Sequence, residues 1–226
     1  MLISFFVGKS DYEKSYIIQL CWVVIVTILA YACYSYNMVP ENKQEYEEEI
    51  NAEKYSIPNI ELEKISANEI LVKEKRVQFE GVSDDTLRWY ADQIEKCPDY
   101  LLATVEEIHI VTHDRLLELR PDASNKIIGY HKHYGSYSKI ILSDYKTDDR
   151  TVFLHEAIHA YDAQYGITEM PEFQNIYATE GLDYDERVSD VKEYFAYSYV
   201  DYLTDNLNKS KYPLTAEFYQ NTNYEK

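Results

Sequence analysis

The feature that most constrains this fold is a pair of histidines four positions apart in the segment TVFLHEAIHAYDAQYG, residues 151–166. The segment predicts a helix over 150–164 that Gly166 ends. On such a helix His155 and His159 lie one turn apart on one face, where both imidazoles can bind the same metal ion. The chain must then fold so that another segment brings a further ligand to this face.

Glu156 completes the pattern H-E-x-x-H, which on a helix is typical of zinc proteases. In such sites the metal ion lowers the pKa of a bound water molecule, and the glutamate accepts the water's proton. The alternative is that His155 and His159 are two polar residues with partners of their own. Burying two imidazoles among Phe153 and Ile158 without such partners would be costly, which favours metal binding.

A catalytic zinc ion needs a third protein ligand and one open coordination position. The metzincins supply a third histidine, but Asp162 and Tyr165 stand where their glycine and histidine would be, so that class is excluded. The downstream candidates are Glu180, Asp183, Asp185, Glu186, Asp190 and Glu193. Glu193 is favoured because it lies within an apolar helix predicted over 189–204, where a carboxylate needs a positive partner. Asp190, one turn earlier on the same face, is the alternative.

Two segments together resemble a known family. HEAIHAYD followed by KEYFAYSY is similar to the zinc-protease domain of anthrax lethal factor and its small secreted relatives, the Pro-Pro endopeptidases. These proteins share H-E-x-x-H-x-x-D and, on a second helix, a glutamate followed by an aromatic residue, Phe and Ala. The similarity spans about residues 80–220 and includes a β-hairpin before the first motif helix. It implies a gluzincin-like zinc-protease fold in which one Zn²⁺ ion is bound by His155, His159 and Glu193.

The resemblance also implies roles for residues around the metal. Glu156 would be the general base, and Asp162 would be a structural residue or one that lies behind the ligands and orients a ligand histidine. In the family a tyrosine seven residues before the ligand glutamate stabilises the tetrahedral intermediate, but position 186 here is Glu. Tyr184 is the nearest substitute, since a two-residue insertion would bring it there, and it is the expected second catalytic residue.

An apolar run near the N-terminus predicts a membrane segment. Residues 17–34, IIQLCWVVIVTILAYACY, contain no charged side chain. The run is about long enough to cross a bilayer and lacks the polar stripe of a buried soluble helix. Lys9 and Lys14 precede it, and five glutamates follow it within residues 41–49. The positive-inside rule therefore predicts a cytoplasmic N-terminus and an exported domain, either at the cell membrane and facing outward or secreted.

Several forms of this segment remain open. It could be an uncleaved transmembrane anchor, a signal peptide cleaved after Ala32, a lipid-attachment signal at Cys33, or a buried core helix. The sequence predicts four parts of the chain: a cytoplasmic region at 1–15, an anchor or signal segment at 16–35, an acidic stalk at 36–60 and a zinc metalloprotease domain at 61–226.

The rest of the chain predicts one α+β domain, in which a small β-sheet is followed by a helical subdomain. Strands are predicted at 107–111, 126–130 and 139–143, and helices at 86–96, 98–105, 150–164, 171–175, 189–204 and from Pro213. The segment HKHYGSY predicts a hairpin turn, and His131 and His133 are interpreted as its exposed residues. The strand at 139–143 is expected at the sheet edge, where an extended substrate could add.

Composition excludes some function classes. The net charge of −18 argues against binding a nucleic acid backbone. Of three cysteines only Cys97 lies in the predicted domain, so no disulfide framework forms there. The expected function is that of an extracytoplasmic zinc endopeptidase acting on protein or peptide substrates. Two alternatives remain open: a membrane-tethered binding protein with an inert metal site, and a cytosolic regulatory protease.

Overall fold

The computed structural model describes residues 57–135, 137–145 and 147–222, which belong to one folding unit beginning at Ile57. The predicted cytoplasmic region, the anchor or signal segment at 16–35 and nearly all of the acidic stalk lie outside the described residues. No helix of the described part is long and apolar enough to span a bilayer.

Six strands form one mixed sheet in the described residues, in the order β1-β2-β3-β4-β6-β5. They are β1 (Glu63–Ser66), β2 (Glu69–Val72), β3 (Lys75–Glu80), β4 (Glu107–Val111), β5 (Gly129–His133) and β6 (Ser138–Ser143). Strands β3, β4 and β6 run parallel, while β1-β2, β2-β3 and β5-β6 are antiparallel pairs. The predicted α+β class is confirmed, with a larger sheet than the three strands that the sequence predicts.

Seven α-helices accompany this sheet within the described ranges. They are α1 (Asp84–Lys96), α2 (Asp99–Leu102), α3 (His113–Leu119), α4 (Val152–Tyr165), α5 (Pro171–Ile176), α6 (Val191–Leu203) and α7 (Pro213–Asn221). Helix α4 packs on the sheet face formed by Ile140 and Leu142. Helix α3 packs through Leu116 on the opposite face, against Ile141. The alternation of side chains along β6 thus gives each helix its own apolar surface.

The position of one strand differs from the sequence prediction. The sequence predicts residues 139–143 at the sheet edge, but β6 lies between β4 and β5. Ile140, Ile141 and Leu142 are buried in succession. Such an unbroken apolar run is typical of a strand with a neighbour on each side and packing on both faces. The edge strand at this end of the sheet is β5, which among the described residues pairs only with β6.

Strands β1 to β3 have a weak signal in the sequence, which predicts none of them. Strand β1 is exposed throughout, so it has no apolar alternation. The turn that joins β2 to β3 holds Lys73 and Glu74 at φ of 48° and 65°. Such left-handed positions usually carry Gly, Asn or Asp, so Lys-Glu gives no hairpin signal. The ammonium of Lys73 stabilises this turn from outside the sheet by donating to the carbonyl of Cys97 at 2.6 Å.

Both ends of α4 are fixed by specific contacts. Gly166, at φ 66°, ends the helix as predicted. The helix begins two residues later than predicted, because Asp149 accepts the backbone N–H of Thr151 in a turn that precedes it. The side-chain oxygen of Gln93, on α1, accepts the N–H of Phe153 at 3.0 Å. A neighbouring helix therefore supplies the acceptor that the first turn of α4 needs.

We expect Cys97 to be chemically inert in the native protein. Its side chain is 1 % exposed, and burial raises the pKa of its thiol to about 12. In a Cys21→Ser, Cys33→Ser variant Cys97 is the single thiol. Because the thiolate is the reactive form, a colorimetric disulfide reagent should label it very slowly in neutral buffer and rapidly in concentrated guanidinium. Rapid labelling of the native variant would contradict the buried position.

Candidate metal centre

Two helices bring the predicted ligands together. His155 and His159 lie on α4, and Glu193 lies in the first turn of α6, which packs against α4. The carboxylate of Asp190 caps α6 by accepting the backbone N–H groups of Lys192 and Glu193. This cap begins α6 just before Glu193, so the ligand carboxylate lies at the end of the helix that meets the two histidines.

The three side chains each present polar atoms to a common point. The Nε2 atoms of His155 and His159 lie 3.1 Å apart. Each of them lies 3.3 Å from a carboxylate oxygen of Glu193. In a tetrahedral site with metal–ligand bonds of ~2.1 Å, neighbouring ligand atoms would be about 3.4 Å apart. The group therefore has the spacing of three zinc ligands, and within the described ranges it is the one His, Cys, Asp and Glu cluster that could hold a metal ion.

Charge is shared within this group. Burial lowers the pKa of His159, but the hydrogen bond to Glu193 and the nearby carboxylates outweigh burial and hold the pKa above its usual value. Burial raises the pKa of Glu193, but hydrogen bonds from His155 and His159 hold the pKa well below its usual range. Glu193 is thus a carboxylate whose charge a proton on the imidazoles can balance. A divalent cation would replace that proton, because metal binding to histidine displaces protons.

The ligand group opens into a cavity of about 550 Å³. Helices α4 and α6 line it on one side and residues 127–131, which include the start of β5, on the other. Glu156 lines the same cavity and is 8 % exposed. It lies beside the ligands but is not one of the three converging groups. Its carboxylate is therefore available as a base for a water molecule held at the metal position.

The structure gives the alternative third ligand, Asp190, a different task. Its carboxylate is engaged with the backbone N–H groups at the start of α6, and it does not belong to the converging group. Aspartate is among the preferred residues at this capping position, because its oxygen satisfies donors that have no partner inside the helix. Of the two carboxylates that the sequence favours, Glu193 is the one that meets the histidines.

Asp162 takes the structural one of its two expected roles. The resemblance also allows it to orient a ligand histidine, but its two oxygens accept the backbone N–H and the hydroxyl of Thr168, both at 2.7 Å. Asp162 is buried at 5 % exposure. It joins the last turn of α4 to the short 3-10 turn Ile167–Glu169. Its role is therefore to fix the end of α4.

The structure does not bring Tyr184 to the metal group. Its hydroxyl donates to the carboxylate of Asp201 at 2.5 Å, and Asp201 lies two turns beyond Glu193 on α6. Its ring packs on Tyr194 and Tyr212. Tyr184 is absent from the described residues that line the cavity. Because Asp201 holds this hydroxyl, Tyr184 as it lies here has none to offer a substrate, and the predicted two-residue shift does not carry it to the site.

A tyrosine outside the predicted site occupies the cavity instead. Tyr197 lines it, and the ring centroid of Tyr197 lies 4.5 Å from that of the ligand His155. The sequence contains a signal for this residue, since positions four apart on a helix share a face and Tyr197 follows Glu193 at that distance. Counting backward from Glu193 for a tyrosine, as the family resemblance suggests, misses it.

The two histidines of the predicted hairpin lie in different environments, one exposed and one half-buried. His133 is exposed, as predicted. His131 is half-buried and lines the cavity, contrary to the prediction that it is exposed. Burial, aided by the charge of His159, lowers the pKa of His131 to about 4. Strand β5 begins three residues later than predicted, which puts His131 within the strand, and its Nε2 lies 3.1 Å from the hydroxyl of Ser138.

Comparisons with known protein families, characterised proteins and solved structures found no match. The chemistry of this centre must therefore be inferred from its own geometry.

We expect the purified protein to bind about one zinc ion per chain with Glu193 as a ligand. A Glu193→Gln variant should lose affinity by more than the roughly 10–100-fold that removal of an outer partner costs. Asp190→Asn is the matched control, because asparagine also caps helices and the converging group stays complete. Competition titration with a chromophoric chelator measures both affinities. Equal zinc affinity in Glu193→Gln and the native protein would exclude Glu193 as a ligand.

A second prediction separates fixing the end of α4 from orienting a ligand. Asp162→Ala removes both acceptors of Thr168, and the buried N–H and hydroxyl left behind should lower the free energy of unfolding by about 1–3 kcal/mol. Urea unfolding measures this loss, and Thr168→Val should show a smaller one. Zinc affinity of the folded variant should stay close to that of the native protein. A fall in affinity of roughly 10-fold or more would restore the expected orienting role.

Proposed function

We propose that this chain is an extracytoplasmic zinc-dependent endopeptidase. The observation that carries the proposal is the convergence of His155, His159 and Glu193 at zinc-ligand spacing, with Glu156 beside them in one cavity. The resemblance of the two motif helices to the lethal factor and Pro-Pro endopeptidase family supports the same conclusion. The extracytoplasmic location and the membrane attachment rest on residues 17–34 and their flanking charges.

The residues divide the chemistry of peptide hydrolysis between them. His155, His159 and Glu193 would hold the zinc ion, which when bound supplies Lewis acidity toward water and the scissile carbonyl group. Glu156 would accept a proton from the attacking water molecule as its oxygen bonds to the carbonyl carbon. It would then deliver that proton to the amine nitrogen as the C–N bond breaks. Water is thus divided between the new carboxylate and the new amine, and Glu156 returns to its starting form.

The edge of the sheet offers a binding position for an extended peptide. Strand β5 pairs with β6 on one side only within the described residues, and residues 127–131 line the cavity. An extended peptide could add to this free edge through main-chain hydrogen bonds, as in other cases of strand addition. We therefore propose β5, in place of 139–143, as the strand to which an extended protein or peptide substrate adds.

The two alternatives differ from this proposal in what they require. A membrane-tethered binding protein with an inert site needs the three ligands but has no use for a carboxylate poised beside them. Glu156 nevertheless lines the cavity with little exposure to solvent. A cytosolic regulatory protease would use the same centre, but the charges that flank residues 17–34 favour export.

Removing the base tests the proposal. We expect Glu156→Gln to keep its zinc and to lose peptide hydrolysis by about 10²–10⁴-fold, the usual contribution of a general base. Digestion of a peptide library followed by mass spectrometry measures turnover, and a chelator should abolish it until zinc is restored. Glu172→Gln, on the exposed start of α5, is the control for charge loss. Zinc-loaded native protein that cuts no peptide, with Glu156→Gln indistinguishable from it, would favour the inert binding protein.

A further inference from the structure

Besides the metal ion and the general base, peptide hydrolysis needs a group that stabilises the carbonyl oxygen of the substrate as this oxygen gains negative charge. Enzymes meet this need with a hydrogen-bond donor that is already in place, and such a donor is worth a large factor in rate. Tyr184, the residue expected for this task, donates to Asp201 instead. Other side chains that line the cavity beside His155, His159 and Glu193 are the remaining candidates for this donor.

Tyr197 lies beside the metal ligands by virtue of helix geometry. It follows Glu193 by one turn of α6, so both side chains project from the same face of the helix. Its ring lies against the ring of His155, with 4.5 Å between their centroids, and it lines the cavity. Tyr197 therefore contacts one ligand and shares its helix with another.

The hydroxyl of Tyr197 is free, unlike those of other tyrosines packed nearby. Within the described residues it has no hydrogen-bond partner, whereas Tyr184 donates to Asp201 and Tyr194 is bonded to Thr215. This hydroxyl is not one of the buried side-chain atoms that lack a partner, so solvent in the cavity reaches it. A half-buried phenol facing a cavity without a protein partner is suited to donate to a molecule that enters the cavity.

Two contacts hold the ring of Tyr197 in place. His155 lies against one part of it, and the guanidinium carbon of Arg187 lies 4.3 Å from the ring centroid. Arg187 is itself fixed by two hydrogen bonds to Asp185, at 2.9 and 3.0 Å. A cation over the face of an aromatic ring is attracted to it and so restrains the ring. At neutral pH a tyrosine phenol carries its proton, because its ordinary pKa is about 10.

We propose that Tyr197 is a catalytic residue that donates a hydrogen bond to the scissile carbonyl oxygen as that oxygen becomes negatively charged. This inference rests on the proposed peptidase function. Tyr197 acts only through the hydrogen bond: the proton stays on the phenol, and no bond is made or broken to the enzyme.

Deleting single hydroxyl groups in the full-length protein tests the assignment. Tyr197→Phe should lower kcat for a cleaved peptide by about 10²-fold, the cost of one such donor. KM should change by less than about threefold, because the interaction is made mainly in the transition state. Zinc content should match that of the native protein. Tyr165→Phe, at a position 52 % exposed, should behave as the native protein does.

Binding of an anion gives a second readout that does not depend on turnover. In the cobalt-substituted protein the visible absorption band should shift when methylphosphonate, an analogue of the charged carbonyl carbon and its oxygens, enters the site. The dissociation constant should be roughly 10-fold higher for Tyr197→Phe, as expected for loss of a hydrogen bond to a charged oxygen. Cobalt affinity itself should be unchanged.

The outcomes separate this inference from the function on which it rests. Native kcat and native methylphosphonate affinity in Tyr197→Phe would overturn the role of Tyr197 and leave the peptidase proposal intact. A fall in kcat confined to Tyr184→Phe would assign the role to Tyr184. A native protein that binds no metal ion, or that binds zinc without cutting any peptide, would overturn both.

Discussion

Helix α6 has to cross α4 with its first turn above His155 and His159, and the rest of the site follows from that contact. Large buried rings set this position: Phe173, on α5, lies 5.3 Å from Phe195 and 5.9 Å from Tyr194 between ring centroids. Interlocked rings have few alternative arrangements of equal density, so a shift of α6 would open voids. The ligand spacing is therefore a product of apolar packing, because gathering polar groups away from water is unfavourable by itself.

The sheet restrains the same site from the other side through α1. The hydroxyl of Tyr90 donates to the carbonyl of Ser143 at the end of β6, at 2.8 Å. One turn further along α1, Gln93 accepts the N–H of Phe153 in the first turn of α4. Helix α1 thus joins the central strands to the motif helix by two polar contacts. The helix that carries the histidines is consequently joined to the sheet whose edge strand would bind a peptide.

Local signals in the sequence predict which three side chains converge, but they predict the long-range geometry poorly. His155, His159 and the stop at Gly166 follow from spacing along one helix, and Glu193 follows from the cost of an unpaired carboxylate in an apolar helix. The strand order does not follow, because it depends on pairing between segments far apart in the chain. The position of Tyr184 does not follow either. Its spacing from Glu193 along the chain does not reveal that its hydroxyl donates to Asp201. The hairpin at Lys73 and Glu74 cannot be predicted from the sequence, because a turn of this kind usually contains glycine or asparagine.

The cap at the start of α6 has a consequence for how a metal ion would enter and leave the proposed site. Glu193 is the third residue of that helix, a position from which glutamate often folds back onto the capping residue, but here it points to the imidazoles instead. Any fraying of this terminus would carry one ligand away while the other two stay on α4. Escape of the ion would thus begin by unwinding one turn of α6, and a bound ion would in return clamp that turn shut. The rate at which the first turn of α6 unwinds would then set how long the protein keeps a bound ion.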